Sequence, residues 1–321
     1  MTAAEPQSFR LPPHWLRGAA GFVAVAVALY LAGIVVSGAG DSLAAMQRLG
    51  LPVALLGTTL ASTAYLVRFA RWQWLITRLG TRVPPLFNLR VYMAGLALTS
   101  SPGKVGETLR SALLLERGVK VGQSLAAFLA DRGSDVIGMA VLGAAAAFLA
   151  QAREPVLEAI ALVLFVATAA FAMAIRHQVL VWPDGRWAGV LARRVRLLGT
   201  PLAPWGTLWT PLASIGYSFL AVIAYGVQAF VLALYVQALG ADLATATCMK
   251  IFAVAMLLGA ASMAPGGLGA TEVALVYQLS EAGMPMPEAV AAAVMLRLST
   301  LWFAMLLGVA ALMSFTGRNR N

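Results

Sequence analysis

Pro102-Gly103-Lys104-Val105-Gly106-Glu107 recurs later in the chain as Pro265-Gly266-Gly267-Leu268-Gly269-Ala270-Thr271-Glu272, two residues longer. From each glutamate onward the two copies run in step at an offset of 165. Glu107 meets Glu272, Glu116 Glu281, Arg132 Arg297 and Gly143 Gly308, among ten identities in the 37 positions from 107 to 143. Charged residues make up only 11% of the chain, yet three of the ten matches are Glu, Glu and Arg, so chance is a poor explanation. Upstream, Tyr65 and Leu79-Gly80 match Tyr225 and Leu239-Gly240 at an offset of 160. A duplicated apolar unit of roughly 90 residues, each copy interrupted by Pro-Gly, is the sequence pointer to a transporter built from repeats.

Composition places this unit in a membrane. The chain is 60% hydrophobic with a mean hydropathy of +0.82, and its charged fraction is far below the roughly 25% of soluble domains. A net charge of +10 would suggest nucleic acid in a soluble protein. Here the basic residues crowd into particular loops, the footprint of topology and anionic lipid, and no nucleic-acid motif is visible. The single Cys248 cannot form an internal disulfide, and His14 and His177 lie outside the apolar spans, so neither a metal site nor a cofactor is expected. Gly103-Lys104 is followed by Val105 and lacks the glycine spacing of a P-loop, and no Ser/His/Asp set occurs. Arg10 and Arg17 precede an apolar run too long for a signal peptide's core of roughly 7 to 15 residues, so that run reads as a first membrane helix.

Spanning about 30 Å of hydrocarbon takes about 20 residues. Six stretches qualify: 19–37, 52–76, 121–150, 157–175, 211–239 and 287–314. Two more, 86–117 and 245–281, are broken in the middle by the Pro-Gly motif and are expected to fold back as re-entrant helical hairpins. The expected fold is therefore an all-α integral membrane protein of six full transmembrane helices plus two re-entrant hairpins. It forms a single transmembrane domain over 1–321, with an N-terminal helix at 19–37, repeat one at 52–150, a linking span and basic loop at 157–210, and repeat two at 211–314. With the N-terminus inside, 18 of the 23 Lys and Arg fall on the cytoplasmic side, including Arg68, Arg71 and Arg110. Only Arg48, Arg153 and Lys250 fall outside, while Arg132 and Arg297 lie within spans. That asymmetry predicts cytoplasmic N- and C-termini in a cell inner membrane. Three full spans separate the hairpins, so the two copies are expected to be inverted, as in alternating-access transporters. In the loop between them, Trp187, Val190, Leu191, Val195 and Leu198 fall at helical spacing with Arg186, Arg193 and Arg196 on other faces. This reads either as a helix held on the anionic inner leaflet or as a plain basic loop.

Arg132 and Arg297 each sit about ten residues into their spans, about 15 Å deep. An arginine there costs at least about 2.5 kcal/mol unless it finds a partner or a polar cavity. Its planar fork suits phosphate; the alternative is a static ion pair with Glu107, Glu272, Asp131 or Asp135. At each tip the outgoing helix presents free N–H groups and a positive dipole end to an anion, with Gly103, Gly106, Gly266, Gly267 and Gly269 allowing close approach and Lys104 adding a charge to the first tip. Glu107 and Glu272 read either as first-turn caps or as partners of the arginines and proton acceptors. Asp131 and Asp135, one turn apart, face Leu296 and Thr300 in the second copy, an asymmetry that makes them the candidates for proton coupling.

Together Ser101-Pro102-Gly103-Lys104-Val105-Gly106-Glu107-Thr108-Leu109-Arg110, Asp131-Arg132, the Pro265 to Gly269 turn with Glu272, and Arg297-Leu298-Ser299-Thr300-Leu301-Trp302 resemble one family. It is the flippase-like transmembrane region of lysylphosphatidylglycerol synthases and their stand-alone relatives, and the resemblance runs from about Gly50 to Gly308. It implies a membrane protein, not an enzyme, that moves a lipid or lipid-linked headgroup between leaflets. The chain ends at Asn321, so a stand-alone member without the soluble aminoacyl-transferring domain is expected. Relatives of that kind are associated with lipid-linked glycans and hopanoids. The substrate class thus includes phospholipid, polyprenyl-phosphate-linked and hopanoid-type lipids, with a separate lipid-modifying enzyme as a partner. Two rival functions stay open: a membrane transferase acting on a lipid-linked substrate, and a non-transporting lipid-binding partner.

Overall fold

The computed structural model describes residues 39–99, 105–151, 204 and 206–316, with side chains from residue 109 onward in the helix that opens at Val105. The predicted spans 19–37 and 157–175, the basic loop as far as residue 203, the tip residues Gly103 and Lys104 and the side chain of Glu107 lie outside the described residues.

Among the described residues the regular structure is helical throughout. The elements are α1 (Ala39–Arg78), α2 (Pro85–Leu96), α3 (Val105–Leu115), α4 (Val121–Leu149), α5 (Pro211–Ala238), α6 (Thr245–Ala261), α7 (Ala270–Glu281), α8 (Met286–Arg297) and α9 (Phe303–Thr316). A single π-helical turn, Leu298–Trp302, joins α8 to α9 without a break. Among the described residues four stretches are long and apolar enough to cross a membrane: Gly40–Arg78, Val121–Leu149, Pro211–Ala238 and Met286–Phe315. They coincide with the predicted spans 52–76, 121–150, 211–239 and 287–314. The first carries an extra N-terminal piece, because the chain kinks at Gly50 ahead of Pro52; a proline cannot continue the hydrogen-bond ladder of the preceding turn.

The two interrupted regions fold as helix pairs. α2 and α3 have 12 and 11 residues and α7 has 12, so at about 1.5 Å per residue none reaches 20 Å. Each pair folds back on itself, α2 against α3 and α6 against α7. In the second pair Gly259 lies against Thr271, and a Cβ there would overlap the threonine hydroxyl.

The packing repeats the duplication. α1 of the first half lies along α5, its counterpart in the second. α4 packs on α6 and α5, and its equivalent, the α8–α9 span, packs on α2 and α1, the equivalents of α6 and α5. Exchanging the halves therefore maps this pattern of helix contacts onto itself. The ends of α3 and α7 match in the same way. Val119 N–H donates to the Leu114 carbonyl at 3.2 Å and Met284 N–H to that of Leu279 at 3.0 Å, across Gly118 at φ 80 and Gly283 at φ 94. That six-residue closure needs a left-handed residue, which glycine adopts without a Cβ clash.

Two cores form, and each draws on both halves, Ala304 entering the first and Ala61 and Met139 the second. One gathers Trp72, Tyr92, Leu109 and Ile137; the other gathers Tyr225, Phe252, Leu275 and Leu296. Leu51, Leu55, Leu66, Phe148, Leu212, Phe219 and Leu306 are exposed. Such a spread of bare apolar side chains suits contact with lipid tails rather than water.

Candidate functional site

Arg71 of α1 is wholly buried and forks between two carboxylates. Its Nε donates to Asp131 Oδ1 at 2.8 Å and its Nη2 to Asp135 Oδ1 at 2.6 Å. Four residues apart on α4, the two aspartates leave the same helix face, so one guanidinium serves both. Their remaining oxygens meet Arg132, with Nη2 at 2.8 Å from Asp131 Oδ2 and Nη1 at 3.0 Å from Asp135 Oδ2. The Arg132 side chain is 38% exposed, against 0% for Arg71 and Asp131 and 3% for Asp135. Of this quartet, Arg132 is therefore the member a ligand can reach first.

Two more guanidiniums border the quartet. Arg68, one turn before Arg71, lies 4.2 Å above the Tyr225 ring and donates to Gln228 Oε1 at 3.3 Å. Arg110 of α3 lies 4.3 Å from the Tyr92 ring and 5.3 Å from that of Trp72, and its Nη2 donates to the Tyr92 carbonyl at 3.2 Å. Gly95 makes room for it, since a Cβ there would overlap the Arg110 side chain. Aromatic faces partly replace water around a cation, but Arg68 Nε, Arg71 Nη1 and Arg110 Nε are buried with no acceptor among the described residues.

In the second half Arg297, 4% exposed, donates from Nε to Glu272 Oε1 at 2.6 Å and from Nη2 to the Gly266 carbonyl at 2.7 Å. It ties the middle of the long span to the Pro265–Gly267 turn and to the first turn of α7, where Gly267 and Gly269 also lie. The π turn follows directly. There Ser299 Oγ sits 2.5 Å from Tyr235 Oη and accepts from Thr58 Oγ1 at 3.1 Å, and the Tyr65 hydroxyl donates to the Thr300 carbonyl. A π turn of this kind frequently marks a functional position in a helix.

The sequence-predicted residues thus gather into two sets: Arg132, Asp131 and Asp135 in the first half, and Arg297, Glu272 and Gly266 in the second. Gly106 falls in the first turn of α3. Arg68, Arg71 and Arg110 are counted with the cytoplasmic segments by charge and are not among the expected site residues. The structure places them on helices, packed against Tyr225, Asp131, Asp135, Tyr92 and Trp72. A signal for Arg71 was present, because two carboxylates one turn apart in an apolar span require a buried cation.

The halves differ sharply at these positions. By the offsets of 160 and 165, the equivalents of Arg68, Arg71, Arg110, Asp131 and Asp135 are Gln228, Val231, Leu275, Leu296 and Thr300. The arginine at 132 and 297 and the glutamate at 107 and 272 are shared. Arg68 and Gln228, bonded to each other, are equivalents and so mark the pseudo-twofold axis.

No curated protein matches the chain. The model of the lysylphosphatidylglycerol synthase TM region matches residues 18–308, a stretch that holds both Pro-Gly motifs, both arginine sets and the interface between the halves. The protein belongs to the family of the lysylphosphatidylglycerol synthase transmembrane region.

Proposed function

We propose that the protein moves a phosphate-bearing lipid, or a lipid-linked headgroup of that charge, between the leaflets of an inner membrane. Its N- and C-termini are cytoplasmic, and the α2–α3 and α6–α7 pairs re-enter from opposite faces. The observation that carries this reading is the set of guanidiniums held inside an apolar helical bundle: Arg71 and Arg297 nearly inaccessible, Arg132 partly open. Cations in such surroundings are costly unless they serve a polar path, and their planar forks match phosphate oxygens. The Arg297 bond to the Gly266 carbonyl couples that cation to the turn whose movement would open the second hairpin. A transferase would need a carboxylate free to act as base, whereas Asp131 and Asp135 each contact two guanidiniums.

The test is leaflet exchange of fluorescent phosphatidylglycerol and of a polyprenyl-phosphate analogue in proteoliposomes. Exchange of at least one of them, reduced more than tenfold in Arg297→Ala with the protein still folded, is the expected result; undiminished exchange in that variant would sink the assignment. The same vesicles report coupling. A proton-driven cycle accelerates under an imposed pH gradient and loses that response in Asp135→Asn, while passive exchange ignores the gradient.

A further inference from the structure

We infer that the first half alone carries the anion site: Arg68, Arg110 and Arg132 take one phosphate group, and Asp131 and Asp135 compete with it for Arg132. This rests on the transport reading and gives it a location and a stoichiometry.

Charge balance supplies the first argument. Asp131 and Asp135 pair with Arg71 and Arg132, which leaves Arg68 and Arg110 beside them with no ion pair among the described residues, an excess of two positive charges of which Glu107, three residues before Arg110, would offset one. An uncompensated charge away from water is expensive, so the cluster favours an added anion. Unused donors supply the second. Arg110 is 4% exposed and its Nε has no acceptor among the described residues, and the same holds for Nη1 of the wholly buried Arg71. Arg68 lies one turn before Arg71 on α1, and Arg110 lies 5.3 Å from the ring of Trp72, the residue next to Arg71, so both border the aspartate pair that holds Arg132. The third argument is the broken symmetry: the second half holds Gln228 and Leu275 where the first holds Arg68 and Arg110, so it cannot form the same site.

Arg132 already presents its two Nη groups to two carboxylate oxygens, the fork arrangement that phosphate also accepts. Asp131 and Asp135 therefore act as tethered stand-ins. An incoming phosphate displaces them from Arg132, while Arg71 keeps them compensated. On departure of the ligand they reclaim Arg132, which speeds release.

Isothermal titration of the purified full-length protein in detergent tests this, using short-chain phosphatidylglycerol, short-chain phosphatidylcholine and inorganic phosphate. Arg68→Gln and Arg110→Leu install the residues that the second half already packs at these positions. The expected result is one phosphatidylglycerol per molecule, preferred over the zwitterion and displaced by phosphate. Each arginine variant should bind at least tenfold more weakly. Asp135→Asn should bind at least threefold more tightly and exchange lipid more slowly. Two equal sites, or unchanged affinity in both arginine variants, would overturn the inference; should Arg110→Leu fail to fold, Arg68→Gln decides alone. Normal exchange in these variants removes the site and leaves lipid transport standing. Wild-type binding without any exchange keeps the site and removes transport, and phosphate binding with no lipid bound does the same by pointing to a free anion.

Discussion

Arg71 illustrates how a single side chain can hold a membrane core together. It shares its guanidinium between Asp131 and Asp135 with no access to water, so Arg71→Ala would leave two carboxylates short of a counter-charge. Loss of one partner from a buried ionic group costs about 3–5 kcal/mol. We expect Arg71→Ala to unfold at a markedly lower temperature in a detergent melt. The combination Arg71→Val, Asp131→Leu and Asp135→Thr, which copies the second half, should recover most of that loss. At this scale the sequence showed Arg132, Asp131, Asp135, Glu272 and Arg297, because charges deep in apolar spans stand out. The paired aspartates called for a buried cation without singling out Arg71, which sits close to the end of an apolar run. There a buried cation and a cytoplasmic one look alike until the partner helix is known.

At the level of elements, the four long spans and the breaks at the Pro-Gly motifs could be read from length and hydropathy alone. The π turn at Leu298–Trp302 could not, since no composition or spacing rule distinguishes it from the α-helix on either side. Close helix crossings were equally hidden, and Gly308 is the sharpest of them. A Cβ there would overlap the backbone of Ala97, so the last span and α2 meet almost backbone to backbone. Small residues allow such contacts in membranes, and overpacking a well-filled contact costs about 1–3 kcal/mol. Gly308→Val should therefore lower the melting temperature and weaken leaflet exchange together. A variant with normal stability would show that this crossing tolerates a shift.

For the whole molecule, the duplication and the inside bias of basic residues lead to the expectation of opposed halves. The turns of the two halves differ in charge: Arg82, Glu116, Arg117 and Lys120 flank those of the first, while Asp242, Glu281 and Glu288 flank the equivalent turns of the second. Cys248 is the only cysteine and is buried, so exposed sites can be labelled one at a time. In oriented vesicles, Arg82→Cys should react with a membrane-impermeant maleimide from the cytoplasmic face and Asp242→Cys from the opposite face. Labelling of both from one face would exclude inversion.

The bond between Arg68 and Gln228 carries a further consequence. At a twofold axis a residue of a homodimer meets its own copy, and two copies of a half bearing Arg68 would set guanidinium against guanidinium, a repulsive contact. Glutamine opposite arginine turns that clash into a hydrogen bond, but only when the two halves are encoded separately. The concentration of charge in one half is thus an arrangement open to a fused gene and closed to an assembly of identical subunits.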